Sequence, residues 1–202
     1  MPAHSRVYVI DDDAAVRDSL SLLLGLHGFN TVAFPSAEAF LDAYCPQWSG
    51  IVVADLRMPG MTGLELQAEL QNRSIELPMI IITAHGEISA VRASLRSGAI
   101  DFLEKPIESD QLLNAVREGL KREAERVRRA GYAADVARQL ARLTAREREV
   151  LDRIVAGKHN REIAIELKIS ARTVEVYRAR VMAKMGVDRI PDLIRVLMSG
   201  SS

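Results

Sequence analysis

Five polar residues stand where apolar, β-prone runs stop. Asp11 and Asp12 follow Val7–Ile10, Asp55 follows Ile51–Ala54, Thr83 follows Met79–Ile82, and Lys105 follows Asp101–Glu104. Taken singly, each has an ordinary reading. An aspartate after a strand often caps the next helix, as Asp13 is expected to do; a threonine there is commonly structural, and Lys105-Pro106 reads as a turn. Taken together, they put three carboxylates, a hydroxyl and an ammonium at one edge of a common sheet. Clustered carboxylates repel, and a hard divalent cation offsets their charge; Mg2+ (or Mn2+) takes a few carboxylates, keeps waters and shares phosphate oxygens. A carboxylate can itself attack phosphorus to form an aspartyl phosphate. The cation, the lysine and the threonine would then balance the equatorial oxygens, which is most of what phosphoryl transfer needs.

Positioning such residues takes an alternating fold. Thr31–Phe34 completes a set of five short strands, and helical patterns separate them: Ala14–His27 before Gly28, Ser36–Tyr44, Gly63–Asn72, Ile88–Ser97 before Gly98, and a fifth from Ser109. Several strands are apolar at nearly every position, as when helices cover both faces of a parallel sheet. The pattern predicts an α/β flavodoxin-like (βα)5 domain over residues 1–122, strand order 2-1-3-4-5. In such sheets sites form at the carboxyl ends of the strands.

The formal net charge of zero conceals a division. Residues 1–119 carry 8 Lys+Arg against 16 Asp+Glu, and the rest carry 19 against 11. An acidic half and a basic half predict two domains with different partners, the basic one suited to nucleic acid. Between them, residues 123–139 read as a charged, solvated helical linker. From 140 to 202 no strand pattern appears. Thr144 opens a capping box with Glu147, followed by Val150, Leu151, Ile154 and Val155 at helical spacing. Asn160–Leu167, a turn at Lys168–Ser170, Ala171–Met185 and a last helix over 191–198 complete an all-α, helix-turn-helix pattern. On Ala171–Met185, Val174, Val181 and Met185 face a core with Tyr177 beside them. Glu175, Val176, Arg178 and Ala179 face outward, where small apolar groups suit a thymine methyl and a glutamate accepts from cytosine N4. With only 4% aromatics, stacking platforms for single strands are lacking, so duplex DNA fits better. A single cysteine, Cys45, excludes an internal disulfide and a Cys-based zinc finger. No apolar run approaches the ~20 residues of a membrane span, and no signal-peptide pattern is present, so a cytoplasmic location is expected.

The motifs V-I-D-D-D, V-V-A-D-L-R-M-P-G-M-T-G, I-I-I-T-A-H-G and F-L-E-K-P resemble the receiver domain of bacterial two-component response regulators over residues 5–120. The resemblance implies that Asp55 accepts a phosphoryl group from a histidine kinase. It also implies that Asp11, Asp12, Asp55 and the Arg57 backbone carbonyl hold Mg2+, that Thr83 and Lys105 bind the phosphoryl group, and that Phe102 is an aromatic switch. A cis bond is implied at Lys105-Pro106. Arg57 and His85, two residues beyond Asp55 and Thr83, are expected to tune dephosphorylation, the alternative being plain loop residues.

L-T-A-R-E-R-E-V-L and N-R-E-I-A-I-E-L-K-I-S-A-R-T-V-E-V-Y-R-A-R-V-M-A-K-M-G resemble the LuxR/NarL-type DNA-binding domain, and the whole chain is similar to FixJ-type response regulators. The resemblance implies base-edge contacts from Glu175, Val176 and Ala179. It implies phosphate contacts from Lys158, Asn160, Arg161, Arg172, Thr173, Arg178, Arg180 and Lys184, with Thr173 open to a structural role instead. Tyr177 stands where many relatives have histidine, and no contact is carried over to it. The expected partners are a histidine kinase, double-stranded DNA, RNA polymerase and, on phosphorylation, a second copy of the chain; no membrane is expected.

Two rivals come from other classes. A haloacid-dehalogenase-type phosphatase also uses an aspartate nucleophile and Mg2+ but requires D-x-D, whereas Leu56 and Arg57 follow Asp55. The other is a phosphorylation-independent DNA-binding regulator whose receiver is a docking module.

Overall fold

Strands that are apolar at consecutive positions need cover on both faces, and the first half of the chain supplies it. A computed structural model describes residues 6–84 and 101–199. In it β1 (Arg6–Ile10), β2 (Asn30–Phe34), β3 (Gly50–Asp55), β4 (Met79–Thr83) and β5 (Asp101–Glu104) form one sheet, ordered β2-β1-β3-β4-β5. Every pair is parallel. The fold is therefore the flavodoxin-like arrangement expected from the alternation of elements.

Alternate residues of the central strands feed two cores. Val7, Val9, Ile51, Val53, Ile80 and Ile82 pack with Leu20 and Leu24 of α1 (Ala14–Leu26) and with Leu112, Val116 and Leu120 of α4 (Ser109–Ala141). Tyr8, Ile10, Val52, Ala54, Met79 and Ile81 pack with Phe40 of α2 (Ala37–Ala43) and Leu66 and Leu70 of α3 (Gly63–Asn72). The second core is aromatic at one end. Trp48 stacks on Tyr8 at 4.7 Å with the rings 6° apart, and Phe34, Phe40 and Tyr44 surround the pair. Burial, the dominant effect, pushes the Tyr8 phenol up to about 12. The helix expected over 88–97 lies outside the described residues.

The chain divides into two compact units, the first ending at Arg126 and the second starting at Val127. Helix α4 runs through that boundary and through Gly131 to Ala141. The charged stretch within it is not solvated throughout, contrary to expectation. The Glu123 side chain is 0% exposed. It accepts from Arg126 Nε at 2.7 Å and Nη2 at 2.9 Å, while Arg126 Nη1 reaches Glu76 at 3.2 Å. A charge run reads as a solvated face because nothing local announces the cavity that one of its members fills.

In the second unit, α5 (Ala145–Val155), α6 (Asn160–Leu167), α7 (Ala171–Met185) and α8 (Ile190–Ser199) enclose Val150, Leu151, Ile154, Ile163, Val174, Val181, Met185 and Leu193. The capping box at Thr144 forms as the sequence predicts: Thr144 Oγ1 accepts from Glu147 N–H at 3.3 Å, and Glu147 Oε2 accepts from Thr144 N–H at 2.8 Å. The tight turn between α6 and α7 opens with Lys168 in the left-handed region, φ 54°. Among the described residues no helix is long and apolar enough to cross a membrane.

Candidate functional site

Parallel strands in register deliver their C-terminal residues to one edge. Asp55 ends β3, Thr83 ends β4 opposite Glu104 of β5, and Asp11 follows β1. The edge is laced by main-chain bonds: Leu56 N–H to Ile82 O at 2.7 Å and Lys105 N–H to Thr83 O at 2.8 Å. The Lys105-Pro106 peptide is cis. Asp11, Asp55 and Thr83 are buried, whereas Asp12 and Arg57 are exposed. Lys105 Nζ donates to Asp55 Oδ1 and lies 3.4 Å from Asp11 Oδ2. The remaining carboxylate oxygens take backbone amides: Arg57 N–H to Asp55 Oδ2 at 2.7 Å, and Asp13 N–H to Asp11 Oδ1 at 2.9 Å. Asp13 itself caps α1, accepting from Ala15 N–H at 2.8 Å.

Charge and burial oppose one another here. Burial raises the Asp11 carboxyl, with Asp55 adding in the same direction, while the Asp13 amide and Lys105 pull it down; the net shift is upward. Burial pulls the Lys105 ammonium down, yet bonding to Asp55 and the charges of Asp55 and Asp11 prevail and hold it above the usual range. The pocket is thus short of positive charge.

Among the described residues no three Asp, Glu, His or Cys side chains lie close enough to enclose a metal ion by themselves. Mg2+ keeps several waters and is commonly held by one or two carboxylates together with phosphate oxygens. The buried Asp11 and Asp55 carboxylates, which share one lysine, fit such an ion, and the exposed Asp12 is the next residue in the chain. Phe102 on β5 pairs with Ile81 and packs half-buried against the second core. His85 lies outside the described residues. Arg17, which sequence reading passed over, donates from Nη1 to the Asp11 carbonyl at 2.7 Å; its place one turn into α1 was the available signal.

On the helical unit, α7 presents Glu175, Val176, Ala179 and Arg180 to solvent while Val174, Val181 and Met185 are buried. Arg178 Nη1 donates to Asn160 Oδ1 at 2.7 Å, tying α7 to the first residue of α6. His159, Asn160, Arg161, Glu162 and Arg178 line an open cleft of about 740 Å3. Lys158 pairs with Glu166, and Arg172 pairs with Glu175 at 3.1 Å. Thr173 serves the helix start, its N–H donating to Ser170 Oγ at 3.0 Å. Lys184 is turned inward: its ammonium donates to the buried Glu147 at 2.7 Å and to Arg142 O at 3.0 Å. Lys184 and the Thr144 amide and hydroxyl hold the Glu147 carboxyl down at about 2.

A five-stranded parallel sheet with this acidic edge, joined to this helical unit, defines a class. The chain belongs to the two-component response regulators that pair a receiver with a LuxR-type domain and regulate transcription: the family model for the response regulator receiver domain matches residues 7–117, and that for bacterial regulatory proteins of the luxR family matches 141–197. Its relatives are FixJ-like, as the motifs implied. The transcriptional regulatory protein FixJ of Azorhizobium caulinodans is 45% identical, the match covering 98% of this chain and 94% of that protein. TdiR of Thauera aromatica is 40% identical over 98% of this chain and 87% of its own. Among solved structures, the response regulator StyR superposes with a TM-score of 0.88 at 39% identity, covering 97% of this chain and 99% of StyR.

Proposed function

We propose that Asp55 is phosphorylated by a histidine kinase and that the modification drives dimerisation and DNA binding. The observation that carries the reading is the Lys105 ammonium set between the buried carboxylates of Asp55 and Asp11. An Asp55 oxygen attacks phosphorus, the N–P bond of the kinase phosphohistidine breaks, and the departing imidazole takes up a proton. Lys105 follows the charge onto the phosphoryl oxygens, and the Thr83 hydroxyl at the neighbouring strand end donates to them. Asp11, Asp12, Asp55 and the Arg57 carbonyl would hold Mg2+ or Mn2+, which would supply charge neutralisation. Arg57 and His85, two residues beyond Asp55 and Thr83 in the sequence, tune the phosphate's lifetime.

Phosphorylation adds about −1.5 to −2 charges and three acceptor oxygens. Thr83 and Phe102 pass that change to the face built on β5 and the start of α4, through which two receivers pair. Two recognition helices then read half-sites ~10 bp apart. Glu175, Val176 and Ala179 contact base edges; Lys158, Asn160, Arg161, Arg172, Arg178 and Arg180 contact phosphates, with RNA polymerase as the downstream partner. Thr173 and Lys184 are left to structural roles because their polar atoms serve the helix cap and Glu147. Intact mass after incubation with acetyl phosphate and Mg2+ tests the first step. A phosphoryl adduct on the wild-type chain and none on Asp55→Asn is expected; equal adducts on both would overturn the assignment of Asp55.

A further inference from the structure

The loop after Asp55 turns sharply. In Met58-Pro59-Gly60-Met61, proline precedes a glycine at φ 79°, the residue pattern and backbone sign of a type II turn. The amide of the fourth residue ordinarily bonds to the carbonyl of the first. Here the Met61 N–H donates instead to Glu38 Oε1 at 2.8 Å, across 23 residues of sequence. Glu38 stands in the first turn of α2, whose N-cap is Ser36. Its carboxylate also accepts from its own amide and from Ser36, and these three donors hold its pKa below the usual range. The fit is close: a Cβ on Gly60 would lie 2.6 Å from Glu38 Oε1. Gly60 is thus favoured for its backbone angle, and a Cβ there would push the Glu38 carboxylate off the Met61 amide.

The loop's other ties reach elsewhere. Leu56 N–H bonds to β4, Gly63 N–H closes back on Leu56 O at 3.0 Å, and Thr62 N–H bonds to Glu65 of α3 at 2.8 Å. Glu38 contributes the tie from α2, at the middle of the loop. We propose that Glu38 is a positioning residue for the Asp55 pocket: by gripping the Met61 amide it fixes the path of residues 56–62 and hence the Arg57 carbonyl. The inference rests on the phosphorylation reading above, since that carbonyl matters only if it faces a cation. An exposed tie adds little to folding stability; its effect falls on loop geometry.

The full-length chain is compared with Glu38→Ala and Glu38→Gln in three measurements: rate of Asp55 adduct formation from acetyl phosphate over a Mg2+ series, hydrogen exchange of the Met61 amide, and melting. Glu38→Ala should raise the half-saturating Mg2+ by about three- to tenfold, less than the roughly 10–100-fold that loss of a direct partner of a metal ligand costs. It should also speed Met61 exchange and leave melting unchanged. Glu38→Gln, whose amide oxygen accepts the same bond, should stay near wild type. Wild-type Mg2+ dependence in Glu38→Ala, an equal loss in Glu38→Gln, or a loss accompanied by a lower melting temperature would each overturn the proposal. If the wild-type chain itself takes no phosphoryl group, the failure belongs to the phosphorylation reading. The grip of Glu38 is then still decided by Met61 exchange and by Mg2+-dependent melting.

Discussion

An ionised Asp11 is held in this pocket at a cost, because its burial favours the neutral acid and Lys105 must serve two carboxylates. A bound cation would relieve that cost. Mg2+ at ten times its dissociation constant should therefore stabilise the first unit by roughly 1.4 kcal/mol, visible as a rise in melting temperature that chelation reverses. Asp11→Asn should melt no lower than the metal-free wild type and should lose the Mg2+-dependent rise; a rise of equal size in that variant would remove Asp11 from the ligand set. In the second unit Glu147 behaves oppositely. Its folded pKa lies at about 2, below its ordinary value, so its contribution is complete above the ordinary carboxylate range and is lost as pH falls toward 2. Acid titration of the isolated unit should show that loss in the wild type and not in Glu147→Gln. Lys184→Ala should lower the melting temperature, whereas Arg180→Ala should leave melting alone and reduce the salt slope of DNA binding by about 1.

At the scale of elements, Gly63 shows how closely α3 approaches the pocket. A Cβ there would lie 2.6 Å from the Asp55 carbonyl oxygen, backbone that cannot swing aside. Gly63→Ala should cost about 1–3 kcal/mol and slow Asp55 phosphorylation; wild-type kinetics in that variant would mean that the backbone shift misses the site. Arg126→Ala should cost more than Glu123→Gln, because it leaves the buried carboxylate without its ion-pair partner whereas the amide removes the charge. Denaturant titration of both variants orders them. The sheet order and the acidic edge were legible in the sequence because both depend on local pattern: apolar strands capped by polar residues, separated by helical periods. Glu123, Glu38 and the inward Lys184 were not, since each finds its partner through packing between elements. No periodicity distinguishes a lysine that reaches back to Glu147 from one that faces solvent.

Over the whole molecule, the two units carry opposite formal charge, and their family matches fall on opposite sides of residue 126. The proposed phosphorylation site and the proposed nucleic-acid face thus belong to separate hydrophobic cores. The chain contains a single tryptophan, and that residue is half-buried and stacked on Tyr8 in the first unit. Its emission is a natural optical label for one half of the protein. On heating, fluorescence should trace the first unit's transition alone, while far-ultraviolet circular dichroism, weighted by α5–α8 as well, follows both. Divergent midpoints from the two signals would mean that the halves melt independently, and coincident ones that they melt together, with no dye or added tag in either case.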